Sequence, residues 1–230
     1  MTTLLLIRHG QTPNNVIGAL DTALPGAGLT ELGHAQADDL VPRLADRRID
    51  RVVASAHDRA RLTAGPLTAE RGLTLTQDAG FGEIFAGDLE MATTHEAADI
   101  YLDTAYAWAT GDLEARIPGG PAGAETLERF TEALERSLDG LDDDATLAVV
   151  SHGAVLRLWV TSQCENLTPR EVRRRRIPNT TVLTLEGRPG AWRFVAWDEP
   201  RLLDLAADGI ADLTTKQRDA LAADARERLQ

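Results

Sequence analysis

Cysteine is almost absent from this chain. Cys164 is the only one in 230 residues. That excludes an internal disulfide and any zinc site built from several thiolates. Long apolar runs are missing too, and none approaches the length of a membrane span. The N-terminus lacks a basic region followed by a long apolar core, so no signal peptide is expected. Positive charge is in deficit: the net charge is -12. Such a chain as a whole repels nucleic acid and anionic membrane. Neither an internal repeat nor a low-complexity linker is visible. A cytoplasmic, reducing setting is the default expectation.

The residues that are present are those of an ordinary globule, 43% hydrophobic and 26% charged. The length is generous for one domain but within its reach, and enough to bury a large core. Residues 2–9 read as a buried strand. Residues 30–46 open with Thr30 as a helix N-cap and carry Leu32, Ala35, Leu40, Val41 and Leu44 along one stripe. Pro42 inside that stripe predicts a kink or break. Further strands are expected at 50–55, 73–77 and 146–152. Helices are expected at 58–71 and 124–139, and from Ala154 onward. Residues 180–187 and 191–198, joined by "RPG", read as a hairpin. The tail from about 201 reads as helical and polar, with Thr214 and Gln217 forming a capping box.

Strands alternating with helices predict an α/β three-layer sandwich, a mostly parallel sheet with helices on both faces. Residues 82–123 break the alternation and read as a lid inserted over the carboxyl ends of the strands. The domain is expected to span residues 1–200, with 201–230 as a helical extension of it. Ligands bind at strand carboxyl ends in such sheets. Two predicted strands end in His-Gly, at His9-Gly10 and His152-Gly153, so the two pairs can share one site.

"RHGQT" at 8–12, "SAHDRARLTA" at 55–64, Glu83 and "VSHG" at 150–153 together resemble the histidine phosphatase superfamily, the phosphoglycerate-mutase-like fold. The resemblance extends to about residue 200. It implies that His9 is the nucleophile, becoming phosphohistidine, and that Glu83 is the proton donor. It also implies that Arg8, Arg59 and His152 line a phosphate pocket with Asn15 at its rim. The helix after Gly153 would aim N–H groups at the same anion.

The chemistry of these side chains agrees. Phosphoryl transfer asks chiefly for positioning and for charge on the equatorial oxygens. Two arginines provide planar, permanently charged forks. They also disfavour imidazolium at His9, which keeps the ring nucleophilic. Gly10 would let backbone approach the anion. Because arginines supply the positive charge, no metal and no cofactor is expected. Asp88 and Glu90 share the loop of Glu83 and compete for its role, as Asn14 competes with Asn15. His57, where relatives usually carry an apolar residue, is expected to pack beside the pocket. His34 and His95 read as surface residues. Arg173–Arg176 read first as a solvated turn, with a local subunit or anion contact second. Trp159, Trp192 and Trp197 read as core.

The expected activity is hydrolysis of a small-molecule phosphomonoester, without nucleic acid or membrane as partner and with a homo-oligomer left open. Mutase-type transfer within the same fold is one alternative. An inactive phosphate-binding regulatory protein is another. After Glu83 the chain reads "IFAGDLEM", without the basic residues of the mutase branch. The "LDTALPGAGLT" segment at 20–30 is longer than usual, and "GGPAGAET" displaces Glu125 from a common Gly-Gly-Glu-Ser pattern. Residues 83–116 combine many carboxylates with Phe85, Tyr101, Tyr106 and Trp108. Two readings stand side by side. Either these rings face a substrate whose remainder is neutral, or they form the core of the lid itself.

Overall fold

The computed structural model of the protein describes residues 1–200; the expected helical extension at 201–230 and its capping box lie outside them. Strand β1 (Thr2–Arg8) is buried from Leu4 onward, and β4 (Thr146–Ser151) is buried throughout. Continuous apolar strands of this kind need cover on both faces. Leu4 and Leu6 of β1 pack with Leu147 and Val149 in one core. Leu5 and Ile7 pack with Ala148 and Val150 in the other.

The helices that supply the cover divide accordingly. On the Leu5 face lie α2 (Glu31–Arg43) and α3 (Asp58–Arg71), through Leu40, Ala60, Ala64 and Leu67. On the Leu4 face lie α4 (His95–Ala109), α5 (Gly123–Leu138) and α6 (Gly153–Gln163), through Tyr101, Trp108, Phe130, Leu156 and Trp159. The expected three-layer sandwich is therefore present. With β2 (Arg51–Ser55), β3 (Leu75–Asp78), β5 (Val182–Arg188) and β6 (Ala191–Asp198), the sheet has six strands in the order β3-β2-β4-β1-β5-β6. The first four are parallel, and β5 and β6 are antiparallel.

Register explains how His9 meets His152. Arg8 pairs with Ser151 across β1 and β4. The next residue of each chain segment is a histidine, at the same edge of the sheet. The His9 N–H continues the ladder by donating to the Ser151 carbonyl at 2.9 Å.

Several local expectations are corrected. Pro42 acts as the expected break, since α2 ends one residue later at Arg43, short of the expected residue 46. The buried face of α2 runs through Gly33, Gln36, Ala37 and Leu40, and Ala35 is exposed. The stripe turns because Gln36 reaches inward to accept the Gln11 N–H. Three helices had no clear signal: α1 (Pro13–Ile17), α4, and α7 (Pro169–Arg174). Two are only five and six residues long. Arg173 is not part of a solvated turn. It closes α7, stands 4.0 Å over the Tyr106 ring and pairs with Asp103 at 3.0 Å. Trp159 and Trp192 are core, and Trp197 is half-buried. His34 and His95 are exposed as expected.

Candidate active site

His9 is 4% exposed. Its Nδ1 lies 2.7 Å from the Gly10 carbonyl, an atom that can only accept. Nδ1 therefore carries the proton, and Nε2 keeps its lone pair. Burial, then the charges of Arg59 and Arg8, hold the ring's pKa well below the ordinary value. At neutral pH this is a neutral imidazole whose tautomer is fixed by a backbone contact.

Gly10 has a different purpose from the one expected. A Cβ there would lie 2.6 Å from the Gly33 carbonyl, and one on Gly33 would lie 2.1 Å from the Gln11 carbonyl. The two glycines let the first turn of α2 sit directly on the loop behind His9. The Gly10 N–H donates to Thr63 Oγ1 at 2.8 Å. The missing side chain serves helix contact, not anion approach.

Arg8, His9, Asn15, Asp21, Arg59 and Glu83 are among the residues around a cavity of about 50 Å³. That is room for roughly three waters, or one small anion. Arg8 is anchored by donating from Nη1 to the Ile177 carbonyl. Arg59, in the first turn of α3, donates from Nη2 to the Asp21 carbonyl at 2.9 Å. Its Nη1 lies 3.5 Å from the Asp21 carboxylate. Burial lowers the pKa of Arg59, against the raising charges of Asp21 and Glu83, yet a guanidinium stays protonated. Gly26, at φ +69, makes space for it, since a Cβ there would lie 2.3 Å from Arg59 Nη1.

Asn15 is a wall residue with a structural task as well. It completes a capping box with Thr12 at the start of α1, and its Oδ1 also accepts from Asn179 Nδ2 at 3.2 Å. Its rival Asn14 donates to the Asp21 carboxylate at 2.8 Å instead.

His152 comes to within 5.1 Å of His9, ring centre to ring centre. It does not present a nitrogen to the cavity, however. Its Nδ1 accepts from Arg59 Nε at 3.2 Å, and its Nε2 lies 2.9 Å from Ser55 Oγ. In this arrangement both ring nitrogens are engaged by Arg59 and Ser55. His57 packs beside it, as expected, with ring centres 4.6 Å apart. Gly153 opens α6, but its helix does not offer free N–H groups to an anion in this state. The N–H groups of Ala154 and Val155 donate to the Glu83 carboxylate at 3.1 and 2.8 Å. A carboxylate at a helix N-terminus meets the same partial charge that would bind a phosphate.

Glu83 is separated from its rivals by these contacts. The Glu90 carboxylate accepts from the backbone N–H groups of Thr22 and Ala23 at 2.8 and 3.0 Å, and from the Thr22 hydroxyl. Asp88 sits against Gly119. Neither lines the cavity. Glu83 does, and it also borders a wide cleft of about 620 Å³ with His57, Leu24, Phe85, Gly120 and Arg129. Arg129 is half-buried, and that burial lowers its pKa against the opposing charge of Glu83. It donates to the carbonyls of Gly82 and Glu83 at 2.9 and 3.1 Å, fixing that turn. Sequence reasoning missed Asp21, Thr22 and Arg129. Only the unusual length of segment 20–30 pointed toward the first two. The aromatic rings expected above the pocket are largely internal. Tyr101 and Trp108 are buried, and donate to the carbonyls of Ile84 and Ala115.

Comparison with known proteins places this geometry. The profile of the histidine phosphatase superfamily (branch 1) matches residues 4–200. An adenosylcobalamin/alpha-ribazole phosphatase of Salmonella typhimurium is 35% identical over 161 residues, 68% of this chain and 77% of its own length. A PE-PGRS family protein of Mycobacterium tuberculosis is 30% identical over 84% of this chain, which spans only 35% of that protein's length. A probable phosphoglycerate mutase of Erwinia tasmaniensis is 28% identical over 91% of this chain and 99% of its own. Among solved structures, a mycobacterial glucosyl-3-phosphoglycerate phosphatase bound to VO3 superposes with a TM-score of 0.71 at 25% identity. The match covers 85% of this chain and 98% of the other. Among the described residues, no helix is long and apolar enough to cross a membrane. With the family profile spanning nearly all the described residues, the chain belongs to the histidine phosphatase superfamily, branch 1, and is a phosphatase.

Proposed function

We propose that the protein is a phosphomonoesterase that works without a metal ion, through a phosphohistidine on His9. One observation carries this reading: the His9 Nδ1–H is pinned to the Gly10 carbonyl, which leaves Nε2 as a lone pair on a ring that lines the same small cavity as Arg8 and Arg59. The phosphoryl group of the substrate occupies the small cavity, held by Arg8 and Arg59 with Asn15 at the rim. His9 Nε2 attacks phosphorus as the P–O bond to the leaving alcohol breaks. Glu83 gives its proton to that oxygen. Three backbone N–H groups, those of Ile84, Ala154 and Val155, then stabilise the carboxylate. In the second half, the same carboxylate takes a proton from water. The water oxygen attacks phosphorus, the P–N bond breaks, and inorganic phosphate leaves with His9 neutral again. His152 and Gly153 act behind this cavity rather than on the anion.

Glu83 lies between the small cavity and the wide cleft, so the leaving alcohol fits the cleft. Leu24 and Phe85 are 56% and 45% exposed there. Arg129, a cation on its wall, donates to backbone carbonyls. Glu125 at its edge pairs with Arg116 at 2.7 Å. These features support a substrate whose alcohol part is neutral. They disfavour a mutase, which must hold a second anionic group.

The experiment is to replace His9 by Ala and to quench the wild type during turnover of an aryl phosphate in the presence of chelator. Acid-labile phosphate should be trapped on the wild type. Turnover should fall by on the order of 10⁵-fold in the variant, as for other lost nucleophiles. A variant with near-normal turnover would refute the mechanism.

A further inference from the structure

Below the small cavity, four hydrogen bonds run in a single sense. Arg59 Nε–H can only donate, so His152 Nδ1, 3.2 Å away, must accept. The proton of that ring therefore sits on Nε2, 2.9 Å from Ser55 Oγ. At the far end, the Thr22 carbonyl can only accept, so His57 Nε2, 2.9 Å away, carries a proton. His57 Nδ1 is left as an acceptor, and Ser55 Oγ, 2.9 Å from it, donates to it. A guanidinium at one end and a carbonyl at the other fix every proton between them. Ser55 and His152 are fully buried, and His57 is 4% exposed. His57 is also the N-cap residue of α3, yet its side chain makes no cap bond. It is committed to this chain.

We propose that His57 is a positioning residue for the phosphate cavity: through Ser55 it selects the His152 tautomer that accepts from Arg59 and holds that guanidinium over the cavity. The argument turns on Ser55. With His57 present, the Ser55 hydroxyl hydrogen has an acceptor on the far side, and its oxygen is left to accept from His152 Nε2. Without that acceptor, the hydroxyl hydrogen turns to His152 Nε2, and the proton of the imidazole moves to Nδ1. Two donors, Nδ1–H and Arg59 Nε–H, would then face each other at 3.2 Å. The guanidinium would have to turn away, since buried donors left unpaired are costly. An apolar residue at 57 could fill the space but could not select the tautomer. The chain also ties the cavity to the loop that carries Asp21 and Thr22, because its last acceptor is the Thr22 carbonyl.

This proposal rests on reading the cavity as a phosphate site, so the test uses inorganic phosphate and the ring nitrogens, not turnover. Nitrogen-15 spectra of the histidine rings report tautomers directly, and competition or calorimetry reports phosphate affinity. His57→Leu and Ser55→Ala should each weaken phosphate binding by about tenfold. In His57→Leu the His152 proton should also move from Nε2 to Nδ1, whereas Ser55→Ala, which leaves no hydroxyl hydrogen to face Nε2, should cost His152 its Nε2–H partner without that move. His57→Asn, which keeps an oxygen acceptor for Ser55, should restore most of the affinity and the original tautomer. Ser55→Ala keeps the test open if His57→Leu does not fold. Wild-type affinity in both breaking variants, or lost affinity with an unchanged His152 tautomer in His57→Leu, would overturn the proposal. A wild type that binds no phosphate would overturn the phosphate reading itself and this proposal with it, and is a different result from unchanged binding in the variants.

Discussion

His9 and His152 follow residues paired in register on adjacent strands, whereas Glu83 and Thr22 belong to two loops joined by hydrogen bonds and not by strand pairing. On the phosphate side, backbone does the positioning. Strand register sets the two rings, the Gly10 carbonyl fixes the proton of His9 and Arg59 that of His152, and the Gly10–Gly33 contact seats a helix behind them. On the leaving-group side no strand takes part. Segment 20–23 meets segment 84–92 through the Glu90 carboxylate, the Thr22 hydroxyl and two backbone bonds between Leu20, Met91 and Ala92. The difference matches the tasks. In-line transfer tolerates little movement of nucleophile or guanidinium, while the choice of alcohol can vary with loops on a fixed frame.

The sharpest test of that division is Glu83, which lies where the two sides join. Glu83→Gln keeps the shape and most of the acceptor bonds but removes the transferable proton. Turnover of alkyl phosphates should fall by about 10²–10⁴-fold, the usual range for general acid catalysis. Nitrophenyl phosphate, whose leaving group hardly needs a proton, should lose much less. Equal losses on both esters would mean that Glu83 acts by holding α6 and the cavity wall, not by giving a proton.

The same division governs what could be read from the amino-acid order. β1, β4, α3 and α6 announce themselves by apolar runs and caps, so the fold and the meeting of His9 with His152 were legible. Parallel pairing of two strands that each end in His-Gly needs no further information. Hydrogen-bond commitment was not legible. Nothing local says that His152 gives both nitrogens to Arg59 and Ser55, or that α6 caps on Glu83. Those are decisions made by three-dimensional neighbours. Asp21 and Thr22 were hidden for a related reason: turn-forming sequence shows that a loop exists, not which side chains it folds inward. The carboxylates of residues 83–116 looked like a charged wall over the pocket. In space Glu90 is a loop clasp, Asp103 pairs with Arg173, and of these acids only Glu83 lines the small cavity.

Glu90 offers the next largest effect, and it separates a clasp from a rival acid. Glu90→Ala removes the acceptor of two backbone N–H groups and one hydroxyl. Charge-assisted bonds of this kind are worth about 1.5–3 kcal/mol each when broken, so a loss of about 2–3 kcal/mol in unfolding stability is expected after partial rehydration. Proteolysis should become faster within 20–30. Turnover should fall to a similar degree on alkyl and nitrophenyl esters, because position is lost and not a proton. A loss confined to alkyl esters would instead make Glu90 the acid and end the comparison as drawn.

Asp21 gives the smallest and most exposed prediction, because it crosses from one side to the other. Its carboxylate belongs to the loop of the leaving-group side, yet it lines the phosphate cavity, with Oδ2 3.5 Å from Arg59 Nη1. Two opposed effects meet there. As a partner it helps to orient Arg59, and as an anion it repels the phosphate that Arg59 is there to bind. The orienting share is small. The 3.5 Å contact is long for a hydrogen bond, while the firmer bond from Arg59 goes to the Asp21 backbone carbonyl at 2.9 Å, which a side-chain substitution leaves in place. The repulsive share is larger, since charges in a partly dry cavity interact more strongly than in water. Asp21→Asn also keeps an oxygen to accept from Asn14 and the Ala27 N–H. Inhibition by inorganic phosphate should therefore tighten by about three- to tenfold at moderate salt, and the gain should shrink as salt rises. Weaker phosphate binding in Asp21→Asn would show that the loop orients the guanidinium after all. The phosphate side would then depend on the leaving-group side for its geometry.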